Sequence, residues 1–480
     1  MHTEMDVQHL PLDVLFSIMA ASPCDTISAM MRTCRTLYST PESLRLFLWD
    51  VTLASSNQII SFLPFMLAAP ATRFDHLLAL TFKKGCFSDA AVDAIRALLA
   101  HPSLIIETLI LHDAEAVLTS GTPPQVSGFW RISLTVVPLL EPFARVTTLK
   151  HLTMDEAGDC ASAFLRMLLA SLVSVSLSFP SDPMISSYSP MWSFYDYDAT
   201  TFLNPIWSLD RSTESLKVLE GSGFSLPRAD PPYCDVVYPH VWKVRASFRY
   251  GTWERMVVVY AHAFPNLKHL VLNKYTGMRR YVYNPRLIQP GGWAEALRQG
   301  NREDQLKCGS WKSLCVVEGT LKAVYSLGLV CKVSELHLKD AIAESMVPCL
   351  EAVLQDVEPE TLSLTIWGAT MFDEHGHLSE LLATSTVQCI TSLTTMIHFV
   401  GSEGDSGIED ILDNIMFRLS NLPLRRLELI LKQPPIKPSD RENHRLAEQY
   451  FNEFDFQAYI SRFKATIPTL ENISVKHCTS

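Results

Sequence analysis

The sequence predicts an α/β solenoid: an N-terminal module of three short helices, then an irregular repeat array with parallel strands inside and helices outside. Three observations predict it. One apolar phrase, an aliphatic residue, two others, an aliphatic, one other and an aliphatic, recurs about ten times along the chain. Amphipathic segments stand between its copies, as they must if each strand is to be paired with a returning segment that covers its back. The first fifty residues follow a different, helical period. At 480 residues the chain exceeds the usual size of a single core, so an elongated array or two to three domains is expected.

The N-terminal segment is read first. Leu10-Pro11-Leu12-Asp13-Val14-Leu15 leads into Ile18 and Met19 at helical spacing, and Pro11 suits the first position of a helix, where an N–H would lack a partner anyway. Asp25 is placed to cap a second helix carrying Ile27, Met30 and Met31. Thr33-Cys34-Arg35-Thr36-Leu37-Tyr38 and Leu44-Arg45-Leu46-Phe47-Leu48-Trp49 complete the segment. The order Leu-Pro-x-Asp-x-Leu-x-x-Ile, apolar helix, Cys-Arg-x-Leu resembles an F-box, with Val14 and Met30 where leucine is commoner. The resemblance covers about a tenth of the chain, residues 8–50. It implies a three-helix module that docks on the Skp-type adaptor of a cullin–RING ubiquitin ligase. Carried over residue by residue, it implies adaptor contacts at Leu10, Pro11, Val14, Leu15, Ile18 and Met30, with Cys34, Arg35 and Leu37 closing the module.

The remainder, residues 51–480, carries the repeated phrase. Its clearest copies begin at Leu77, Ile106, Leu149, Leu172, Leu267, Trp311, Val333, Leu424 and Leu470. Weaker ones lie at Leu216-x-x-Leu219, Leu362-x-Leu364-x-Ile366 and around Leu393 to Phe399. The first is the most complete: Leu77-x-x-Leu80-x-Phe82 is followed by a Ser88-Asp89 cap and by Ala91, Val92, Ile95, Leu98 and Leu99 on one helical face. Further helices are expected over Ser162 to Leu169, Trp253 to Phe264, Ile342 to Leu354, Ile408 to Leu419 and Glu448 to Phe463. The phrase resembles the strand of leucine-rich repeats, and the first unit resembles the cysteine-containing repeats of F-box proteins. Spacing runs from about 22 to about 50 residues against roughly 20–29 in a regular array, so insertions are expected. Two stand out, the aromatic 181–205 and the basic-aromatic 274–290, each readable as a surface loop or as a binding loop.

Composition narrows the function. A formal charge of −11 argues against a general nucleic-acid binder, which needs a concentrated basic surface. The acidic start lacks the order of a secretory signal, and no apolar run reaches the roughly 20 residues of a membrane helix, so a cytoplasmic or nuclear protein without membrane contact is expected. Eleven scattered cysteines without a C-x-x-C pair read as reduced thiols. Phosphate-loop, dinucleotide, nucleophile-elbow and H-E-x-x-H motifs are absent, and Asp373-Glu374-His375-Gly376-His377 reads as a solvated turn rather than a metal site. No enzymatic activity, catalytic residue, metal or cofactor is expected.

The expectation is therefore a substrate receptor: the N-terminal module recruits the adaptor, and the repeats hold a protein for ubiquitination by other subunits. The alternative keeps the array as a protein-binding scaffold whose N-terminal helices only cap it. In each hexamer the intervening residues point away from the core. Lys150, His151, Lys268, His269, His337, Arg425 and Arg426 fall at or beside such positions, which makes them candidate substrate contacts for an acidic or phosphorylated peptide. The competing reading has them solvated and balanced by Asp155, Glu335 and Glu428.

Overall fold

The computed structural model describes residues 11–33, 35–83, 85–121, 137–179, 208–222, 236–248, 257–274, 292–372, 376–399, 408–432 and 454–478. The chain divides into two compact units, residues 1–224 and 225–480. The first opens with four helices rather than the three expected: α1 (Leu12–Ala20), α2 (Cys24–Thr33), α3 (Arg35–Ser39) and α4 (Pro41–Leu48). Proline causes the extra break. Pro41 has no N–H with which to carry α3 onward, so Thr40 turns extended and a new helix starts at Pro41. Met19, Ile27, Met31, Leu37, Leu44 and Leu48 are buried and form the small core of this module.

Six parallel strands follow, each paired with the next: β1 (Asp50–Leu53), β2 (Ala79–Phe82), β3 (Thr108–Leu111), β4 (His151–Met154), β5 (Ser174–Ser178) and β6 (Val218–Ser222). Register places Val51, Leu80, Leu109, Leu152, Val175 and Leu219 in one cross-strand row, all buried. Between the strands run the helices Ser56–Leu67, Asp89–Leu99, Ala114–Leu118, Leu140–Ala144 and Asp159–Met167. Phe82, Phe143 and Phe164 meet edge-on and fill the space between helices and sheet. A carboxylate links two of the repeats. Glu115, on the short helix, accepts the backbone N–H groups of Gly158, Cys160 and Ala161 at 3.0–3.3 Å, so it satisfies the start of the helix Asp159–Met167 from 43 residues away. Any side chain at position 158 would press its Cβ to 2.8 Å from this carboxylate, which explains glycine there.

The second unit carries eight parallel strands: β7 (Lys243–Phe248), β8 (His269–Lys274), β9 (Ser313–Gly319), β10 (Lys332–Ile342), β11 (Thr361–Trp367), β12 (Ser392–His398), β13 (Arg426–Lys432) and β14 (Asn472–Cys478). Val244, Leu270, Val317, Leu336, Leu362, Leu393, Leu427 and Ile473 share one register row. Leu336 has no exposed surface at all. The helices Val257–Ala263, Trp293–Cys308, Leu321–Leu327, Val347–Val357, His377–Leu382, Ile408–Leu419 and Phe456–Thr466 accompany these strands.

Helix Leu321–Leu327 is closed by its neighbours. At its start Thr320 accepts the Ala323 N–H, and the Asp340 carboxylate accepts that of Leu321 at 2.7 Å. Asp340 gets there because β10 bulges: His337 pairs with Ser363 and Ala341 with Thr365, which leaves two extra residues on β10. At the helix end the buried amides of Asn301 and Gln305 donate to the carbonyls of Ser326, Leu327 and Gly328. Nearby Asp356 receives both Arg298 and Arg302, tying Trp293–Cys308 to Val347–Val357.

Every strand expected from the hexamers is present. Two were not expected, β1 and β7: β1 carries the phrase as Leu48-x-x-Val51-x-Leu53, but its first residue belongs to the end of α4, and β7 has Ala246 where a larger aliphatic belongs. Helices Trp293–Cys308 and Leu321–Leu327 were likewise not expected. The first carries a polar, Gly300-containing sequence whose buried side includes Asn301 and Gln305. The segment expected as a helix from Ile342 begins only at Val347, since β10 runs to Ile342. The insertion 181–205 and all of 274–290 beyond Lys274 lie outside the described residues. No described helix is long and apolar enough to cross a membrane.

Candidate interaction surfaces

On α1 the two sides differ. Met19 is fully buried, with the Ser43 hydroxyl 3.8 Å from its sulfur, and this fixes the inner side of the helix. The adjoining stripe, Pro11, Val14, Leu15 and Ile18, follows the i, i+3, i+4, i+7 pattern of one helical face, with Leu15 nearest the buried Met19. Pro11, Val14 and Ile18 are exposed, Ile18 to 43%, and Leu15 is half-buried. Met30, on α2, is also half-buried, and Leu37 is core. Leu10, Cys34 and the side chain of Arg35 lie outside the described residues.

The candidate substrate contacts fall on both units, Lys150 and His151 on the first and Lys268, His269, His337, Arg425 and Arg426 on the second. In the first unit Lys150 precedes β4 and its ammonium pairs with Glu107, while His151 opens the strand in solvent. The acid named as its balance, Asp155, is held by His112 at 2.7 Å instead. In the second unit Lys268 is exposed, and His269 meets the edge of the Trp242 ring. His337 lies 3.4 Å from Glu335. Arg425 and Arg426 stand at β13, five strands from β8, or about 24 Å at ~4.8 Å per strand. Glu335 interrupts the row between them. Lys476, not an arginine, pairs with Glu428 at 2.6 Å.

A different cluster sits at the C-terminal ends of β11 to β14, where register aligns Trp367, His398, Lys432 and Cys478. Trp367 is 48% exposed and stacks on His398 at 5.6 Å with rings 17° from parallel. One row back, the half-buried Thr365, Met396 and Ile430 lie on the same face. Burial, and then the Lys432 ammonium, push the His398 imidazole below its ordinary pKa. Gly368, with φ of +97°, turns the chain directly after Trp367, and its N–H donates to the His398 carbonyl at 2.9 Å. The sequence reading placed His398 beside a strand but passed over Trp367, whose signal is the strict alternation that precedes it: after Leu362, Leu364 and Ile366 on the inner side, residue 367 must face out.

Among the described residues no group of three or more His, Cys, Asp and Glu side chains is placed to hold a metal ion. Residues 373–375 of the acidic-histidine turn lie outside the described residues. The buried thiols of Cys160, Cys331 and Cys349 are all shifted up, chiefly by burial, the reverse of what a nucleophile needs. Among the described residues, the α1 stripe and the outward side of β11 to β13 present apolar side chains to solvent. Compared with known proteins, the chain matches no family model and no curated protein.

Proposed function

We propose that this chain is the substrate receptor of a cullin–RING ubiquitin ligase, in which α1 and α2 dock a Skp-type adaptor and the repeat sheet holds a protein substrate. The observation that carries the reading is the stripe of Pro11, Val14, Leu15 and Ile18. These residues match the F-box positions named from the sequence, and those that are described are left wholly or partly uncovered by the chain's own core. A leucine or isoleucine side chain that becomes fully buried on binding contributes about 1.5–3 kcal/mol. Replacing Leu15 and Ile18 together with Ala is therefore expected to weaken adaptor binding at least tenfold, measured by titration of purified adaptor. Wild-type affinity in the double variant would sink the reading.

The scaffold reading draws on another observation. α4 packs against β1 and against the short helix Pro70–Arg73, so the N-terminal helices also cover the first repeat. Capping alone leaves no reason for the α1 stripe to be apolar, and the same titration separates the two.

A further inference from the structure

We propose that the outward face of β11, β12 and β13, with its apolar anchor site at their C-terminal ends, forms a docking platform for an extended acidic peptide segment with one aromatic or aliphatic anchor residue. The proposal deepens the reading of the repeats as a substrate holder and rests on that half of it, not on adaptor docking.

The first argument is the Trp367 ring. The ring is half in water, its only ring contact among the described residues is His398, and its indole N–H has no partner there, so its face and its donor are both open to a ligand. Beside it Met396 and Ile430 put apolar side chains on the outward side of the sheet, where the other outward positions of β11 and β12 up to that point are the hydroxyls of Thr361, Ser363, Thr365, Ser392 and Thr394. Indole, thioether and aliphatic surface in adjacent register positions make a site for one apolar side chain. The surrounding hydroxyls suit the backbone and polar groups of a chain laid across them.

Charge decides the class of partner. On β13, Arg426 and Lys432 point to the same face from opposite ends of the strand and make no ion pair among the described residues. Glu428 between them is neutralised by Lys476. Among the described residues, two cations without an ion pair therefore line this face of β13, Lys432 beside the apolar spot and Arg426 at the other end of the strand, six residues or roughly 20 Å away, the span of about six residues of extended peptide. Burial keeps His398 neutral near pH 7, so it stacks without adding charge. Carboxylates at both ends of a short segment would meet Lys432 and Arg426 in charge-assisted hydrogen bonds. A single-stranded nucleic acid could also stack on Trp367, but a chain of net charge −11 with two cations here lacks the continuous basic track such binding requires.

The test uses the full chain and a fluorescein-labelled ten-residue peptide of Glu, Asp and Ser with one central Phe, followed by fluorescence polarisation at low salt. Saturable binding is expected, lowered at least tenfold by replacing the peptide's Phe with Ser, by Trp367→Ala and, independently, by Lys432→Glu. Both positions are at the surface, and unchanged thermal melting of the variants separates lost contact from lost fold. Absence of saturable binding, undiminished binding by both variants, or equal competition by an oligothymidylate of matched length would overturn the proposal. Adaptor titration on the same preparations keeps the two readings apart: peptide binding without adaptor binding removes the ligase reading alone, and adaptor binding without peptide binding removes this one alone.

Discussion

His398 shows how much of this surface is decided by single neighbours. Its ring is sheltered by Trp367, and the Lys432 ammonium follows it in the same cross-strand row. Both conditions disfavour the imidazolium, burial more than the charge. In the unfolded chain the group returns to about 6.5, so there it takes up a proton first, and the stability contributed by the neutral form is present above that value and is lost as pH falls from it through the lower folded pKa. Replacing Lys432 with Gln removes the smaller cause and is expected to raise the His398 pKa while leaving it below the ordinary value, measured by NMR titration of the imidazole ring. No shift on substitution would mean that burial alone sets it. The sequence gives no access to this arrangement: Trp367, His398 and Lys432 lie about 30 residues apart from one to the next, and only strand register brings them together.

At the scale of elements, strands were easier to read than helices. A strand hexamer carries its buried positions in six residues, so Leu77 to Phe82 or Leu424 to Leu429 is visible without neighbours. Helix ends depend on partners from elsewhere. The helix Asp159–Met167 has no capping side chain at Gly158, and its leading N–H groups are taken by Glu115. Glu115→Ala is expected to cost about 1–2 kcal/mol, because three amide donors lose an ionised acceptor within a partly buried site. Urea denaturation followed by circular dichroism checks it. Glu115→Gln, which keeps an acceptor oxygen, should lose less. Equal stability of Glu115→Ala and wild type would show that water replaces the cap.

For the molecule as a whole, repetition of one unit predicts how damage spreads. Within the second unit each strand bonds only to its immediate neighbours, so stability is close to a sum of local terms. Leu336→Ala, at the fully buried centre of β10, is expected to cost roughly 2–5 kcal/mol. Hydrogen exchange followed by mass spectrometry should show β9, β10 and β11 opening first, with β13 and β14 least affected. Uniform acceleration across the unit would mean that it unfolds as one cooperative block. The division of the chain near residue 224 was not legible in the sequence, because the same apolar phrase continues on either side of it, in β5 and in β8. The acid that pairs with Lys150 was missed for a related reason: Glu107 lies 43 positions away and reaches it only through parallel pairing of β3 with β4, whereas Glu335, two residues from His337, was named from the sequence.

The closure of helix Leu321–Leu327 from both sides bears on how such an array can grow or shrink over evolutionary time. Its Leu321 N–H depends on Asp340, which follows it in the chain, and its last carbonyls on Asn301 and Gln305, which precede it. A duplication or excision with a breakpoint between residues 301 and 340 would leave either buried amides or buried carbonyls without partners, a penalty of about 1–3 kcal/mol for each. Recombination is thus discouraged at this stretch. Copies gained or lost by unequal exchange should accumulate at junctions whose helices draw no buried partner from neighbouring repeats, and the stretch 301–340 should be inherited as a block.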